Sequence, residues 1–148
     1  LADAPVPAWN FSEVSDFLRK EIEGLPAAGS GSFTRRRDLL AAVVSFRDTA
    51  VAWDAVGGAF RGARSAEIEP LVVGAMAAFR DLPGARDFAR SSLLLGPSAE
   101  TGCGTETLPG LRRALHGDGS PAFETERLLT ALAAAEAKLR EAVRIAGS

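Results

Sequence analysis

Read as a pattern of apolar and polar positions, the 148 residues resolve into amphipathic helices, with no β-strand pattern of convincing length. The clearest stretch is residues 34–56, TRRRDLLAAVVSFRDTAVAWDAV. Its apolar side chains fall at 39, 43, 46, 50 and 53, with 40, 44 and 51 alongside. That spacing predicts a helix with one broad buried stripe, leaving Asp38, Ser45, Asp48 and Ala52 away from it. Thr34 is the expected N-cap and Gly57-Gly58 the expected stop. At 1.5 Å per residue the helix runs about 35 Å, and it needs other helices to cover its apolar face.

Three further helices follow from the same reasoning. Asn10 opens the first, with Glu13 three residues on in a variant of the capping box. Phe11, Val14, Leu18 and Ile22 form its apolar face, Gly24 ends it, and Leu25 is placed to fold back on the last turn. Residues 26–32, PAAGSGS, connect it to the central stretch with enough length to reverse the chain. After Phe60, RGARSAE is expected to return the chain, and Pro70 suits the first turn of a helix, where a missing N–H costs nothing. Leu71, Val72, Ala75, Phe79 and Leu82 then share a face until Pro83-Gly84. A short amphipathic turn follows, with Phe88 and Leu93 to Leu95 as core contacts. The last helix begins at Ser120-Pro121, cap and N1 proline, and runs to about Ala146. Leu128, Leu132, Ala135, Leu139, Ala142 and Ala146 form its main row, with Leu129, Glu136 and Val143 beside it and Glu136 at the edge.

Two segments stay outside the helical pattern. Residues 1–9, LADAPVPAW, are too rich in proline for a helix, since Pro5 and Pro7 push their predecessors toward extended backbone. They read as an arm ending on Trp9. Residues 96–110, GPSAETGCGTETLPG, form a long Gly-rich irregular stretch, after which 111–117 make two helical turns around Leu111 and Leu115. The fold class expected is all-α: an antiparallel four-helix bundle over 10–148, one domain, with an extended N-terminal arm and a Gly-rich loop before the last helix.

Composition narrows the function classes. Hydrophobic content of 47% and a mean hydropathy near zero suit a globular chain, and no apolar run approaches the roughly 18 residues of a membrane span. With a net charge of −2, nothing global attracts nucleic acid or anionic lipid. The charge is uneven, however. Residues 1–33 hold five acids and two bases, and residues 34–66 hold six arginines and three aspartates. Pairing of these blocks within the fold is the favoured expectation over a polarised surface. The opening Leu1 reads as the end of a processed chain. The run Arg35-Arg36-Arg37 followed by LLAAVV has the look of a twin-arginine signal, but Arg47, Asp48 and Asp54 break the uncharged core that a signal needs.

Candidate chemistry is sparse. Cys103 in TGCGT is the one cysteine and His116 the one histidine, so there is no intramolecular disulfide and no multi-cysteine metal site. A nucleophile pair would need the two within hydrogen-bond reach, and a loop thiol beside a surface imidazole is the simpler expectation. One histidine cannot supply the paired Glu-x-x-His motifs of a di-iron bundle. Gly102, Gly104 and Gly110 lack the Lys-Ser/Thr of a phosphate loop. Glu124 and Glu126 suit the positive end of the last helix's dipole. Arg35, Arg36 and Arg37 lie at the opposite end of one helix from Arg61 and Arg64, and no stacking platform accompanies them, which argues against nucleic acid.

In layout, the opening LADAPVPAW and the closing helix LLTALAAAEAKLREAVRIAG are similar to the PsbQ-like extrinsic subunits of photosystem II. The resemblance implies a thylakoid-lumen protein without catalytic residues or cofactors of its own, supporting the oxygen-evolving centre by docking on other subunits. The first expectation is therefore a non-catalytic accessory subunit associated with a membrane complex but not spanning the membrane. Its partner-binding residues would be Pro5, Pro7 and Trp9 of the arm and Arg35, Arg36 and Arg37. The alternative is a small enzyme or small-molecule binder using residues 96–120.

Overall fold

Helix starts follow the capping chemistry of the sequence. A computed structural model describes residues 10–25, 35–57, 64–79, 95–97, 105–117 and 119–147. Among them the chain is all-α apart from one short ladder: α1 (Phe11–Glu23), α2 (Arg36–Gly57), α3 (Ser65–Ala77), β1 (Leu95–Pro97), β2 (Thr105–Thr107), α4 (Pro109–Leu115) and α5 (Pro121–Ala146). The Asn10 side chain accepts from the Glu13 N–H at 3.1 Å, and the Ser120 hydroxyl accepts from the Phe123 N–H at 3.2 Å, each satisfying a donor the first turn leaves over. Leu25 is buried just past α1, its N–H bonded to the Ile22 carbonyl. The expected cap Thr34, the connection 26–32, and Leu82, Pro83, Gly84, Phe88, Leu93 and Leu94 lie outside the described residues.

Side-chain bonds between helices give their directions. Ser12, Asp16 and Leu25 of the α1 segment meet Asp54, Arg47 and Arg36 of α2 in that order, so α1 and α2 run antiparallel. Arg64 reaches the Ile145 carbonyl and Gly74 lies against Lys138, so α3 and α5 are also antiparallel. Arg35 meets Glu126 and Ser45 meets Glu136, which makes α2 and α5 parallel. The outer pairs α1–α2 and α3–α5 are thus antiparallel and the central pair α2–α5 is parallel, since α3 carries the chain back before α5 begins.

The core lies where these helices converge. Leu39, Val43, Phe46, Ala50 and Trp53 of α2 are all buried, as are Leu128, Leu132, Ala135, Leu139 and Ala142 of α5. Phe46 is the junction: its ring meets Phe11 of α1 at 6.4 Å and Phe79, just past α3, at 5.9 Å, both edge-to-face, the geometry the ring quadrupole favours.

Three expectations need correction. Val44 and Val51, placed beside the α2 stripe, are 50% and 44% exposed; at 100° per residue they sit roughly 120–140° from the centre of the buried row. Helix α3 starts at Ser65, so Pro70 is inside it and 65–67 are helical where a return of the chain was expected. Proline cannot donate to the carbonyl four residues back, that of Ala66, but both residues are exposed, so that oxygen is open to solvent. The added turn is anchored by buried Ile68. Finally, part of the irregular 96–110 stretch is ordered: Leu95 to Pro97 pairs antiparallel with Thr105 to Thr107. Three residues per strand are too short for an alternating pattern to register.

Candidate interaction surface

The arginine triplet sits at the start of α2, and the fold divides it. Arg35 donates to Asp38 at 3.1 Å and also pairs with Glu126 on α5. The Glu126 bond, followed by the Asp38 bond, holds its proton above the ordinary arginine range. Arg36 turns inward and donates to the Leu25 carbonyl, holding the end of the α1 segment against α2. Only Arg37 points to solvent without an ion pair among the described residues. Of the partner-binding residues expected here, Arg35 and Arg36 therefore act within the fold and Arg37 faces outward. Pro5, Pro7 and Trp9 lie outside the described residues. The acidic first block and the basic second one do meet, through Arg47 and Asp16 at 3.0 Å, while Arg35 finds its carboxylate on α5 instead.

A second surface lies at the start of α5. Phe123 is 55% exposed, with the Arg127 guanidinium 5.6 Å from its ring centroid. Arg127 also bonds Glu124 at 3.2 Å. Glu124 in turn fills the space beside Gly110, where a Cβ would stand 2.5 Å from its carboxylate oxygen. Burial there raises the Glu124 carboxyl above its ordinary value, against the pull of Arg113. Desolvation thus outweighs the attraction of Arg113 at this residue. Sequence reasoning missed Phe123 as a surface feature, although the signal was present: it lies about 140° around α5 from Leu128, off the apolar row.

Of the 96–120 region, residues 96–97, 105–117 and 119–120 are described. His116 is exposed and closes α4, its N–H bonded to the Arg112 and Arg113 carbonyls. Cys103 lies outside the described residues. Among the described residues no three His, Cys, Asp or Glu side chains gather to hold a metal ion, and no helix is long and apolar enough to cross a membrane. Leu108 is the one described non-glycine residue with positive φ, at 48°. Its side chain is buried, and packing holds the left-handed backbone that turns β2 into α4.

The third feature is the outer face of α2. Ala41, Val44, Asp48, Val51, Ala52 and Ala55 are all exposed on the side away from the core. Comparison of the chain with protein-family models, with curated proteins and with solved structures gave no match.

Proposed function

We propose that this chain is a non-catalytic accessory subunit that docks on a larger assembly, in the manner of the extrinsic photosystem II subunits its layout resembles. In this reading α1, α2, α3 and α5 form a four-helix bundle, α4 is a connector, and residues 1–9 are an extended arm. The observation that carries the proposal is Phe123 with Arg127 stacked on it. Aromatic residues and arginine are enriched at protein interfaces and supply most of their energy, and this pair lies at the start of α5, with Phe123 exposed. The arm residues Pro5, Pro7 and Trp9 would add contacts. Two prolines reduce the entropy lost when an extended arm docks.

The test is purification of the tagged full chain from its native host in mild detergent, with Phe123→Ala alongside. The expected result is co-migration with a photosystem-sized complex that contains known lumenal subunits, weakened at least tenfold in the variant. Migration of the parent as a free protein overturns the reading.

A further inference from the structure

The outward side of α2 carries a second, regular seam. Arg37, Ala41, Val44, Asp48, Val51 and Ala55 follow one another at alternating steps of four and three residues, the spacing of coiled-coil core positions. All six are exposed, and the buried row at 39, 43, 46, 50 and 53 lies on the other side of the same helix. A helix with only one apolar side would place charged residues along such a seam. This one places alanine and valine at four of six positions.

The two charged positions indicate what covers it. Arg37 and Asp48 make no ion pair with another described residue, whereas Arg35, Arg36 and Arg47 around them are engaged. A second copy of α2 laid parallel would set arginine against arginine and aspartate against aspartate. Laid antiparallel, with the two-fold axis between Ala41 and Val44, it sets Arg37 against Asp48 of the other copy twice. Ala41 then meets Val44 twice between them, which is the pairing of unlike core positions that antiparallel coiled coils use. From Arg37 to Asp48 the seam is complementary to itself in one orientation and repulsive in the other, and Val51 and Ala55 lie beyond the overlap.

We infer that the outer face of α2 is a two-fold interface between copies of this chain, with Arg37 and Asp48 fixing its antiparallel register. The inference does not depend on what the molecule docks on. Two Ala41–Val44 layers flanked by two Arg37–Asp48 layers fall below the roughly 800 Å² per partner of a standard interface, so the dimer is reversible, with a dissociation constant on the order of 100 µM.

Sedimentation equilibrium on the full chain, from about 10 µM to about 1 mM, reads this directly. The parent is expected to show a monomer–dimer equilibrium. Arg37→Glu or Asp48→Lys alone should weaken it about tenfold by setting like charges together twice. The double variant should return to within about threefold of the parent, because the pairs re-form with signs exchanged. Melting by circular dichroism checks that each variant keeps its fold, as exposed positions should. A parent that stays monomeric, single variants that dimerise as well as the parent, or a double variant as weak as the singles each overturns the pairing.

Discussion

At the residue scale two side chains concentrate the consequences of burial. Phe46 joins α1, α2 and the end of α3 through its two edge-to-face contacts, so truncating it empties a site that three segments share. Phe46→Ala is expected to cost about 3–5 kcal/mol in a urea titration, a large share of the roughly 5–15 kcal/mol that holds a domain together. A loss under about 1 kcal/mol would mean that the cavity collapses and the junction is not one. Glu124 is the opposite case, a carboxyl the fold holds at some cost. Burial raises its folded value above the ordinary 4.5, so the folded state binds the proton more tightly than the unfolded chain. The contribution to stability is full below 4.5 and declines as pH rises through the raised folded value. Glu124→Gln does not titrate. In denaturant midpoints measured from about pH 4 to pH 7, the variant should gain on the parent as pH rises, and a constant gap would show that the site is solvated after all. The sequence announces Phe46, whose place in the apolar row is plain. It does not announce the state of Glu124, because Gly110, the residue that lets the carboxylate approach, is distant in sequence and belongs to another helix.

At the element scale, what was legible follows from how local the cause is. Helix α5 could be read from Ser120 to Ala146 because its cap, its N1 proline and its leucine row are all within the helix. The start of α1 was legible for the same reason. The start of α3 was not: its N-cap position is Arg64, which makes no side-chain capping bond, and Pro70 looked like a beginning while Ile68 was already packed. The strands of the β1–β2 ladder are too short to register as alternation, and the parallel run of α2 and α5 depends on pairing between distant segments, which periodicity does not report. The α3–α5 contact offers a test of its own. Gly74 lies where a Cβ would stand 2.9 Å from the Lys138 Cδ, but the obstacle is a long, exposed side chain that can swing aside. Gly74→Ala should therefore stabilise the protein by about 0.5–1 kcal/mol, the helix-propensity difference between the two residues. A loss of stability would mean that Lys138 is held in place and that the helices cannot accommodate one methyl group.

At the scale of the whole molecule, the order of packing sets the order of opening. Helix α2 has α1 on one side and α5 on the other, while α5 packs against α2, α3 and α4. Each of the flanking helices rests mainly on one partner. Freeing α1 gives up the α1–α2 contact, with the Arg47–Asp16 pair and the Asp54 acceptor at Ser12, and the Arg112–Glu21 pair to α4. The Arg47 and Asp16 side chains are about half exposed and contribute little, so apolar burial carries most of the attachment. Freeing α2 or α5 breaks the central interface as well and exposes both buried rows. Local opening should therefore begin at the flanks, and the most protected amides should lie at 39–53 and 128–142, with free energies of exchange near that of global unfolding. Amides of α1 and α3 are expected to exchange through partial opening, at about 1 kcal/mol or more below that limit. Hydrogen exchange read by mass spectrometry on overlapping peptides gives the ranking. If peptides from α1 or α3 outlast those from α2 and α5, the parallel pair is not the centre of the fold, and stability must be assigned instead to the aromatic junction of Phe11, Phe46 and Phe79.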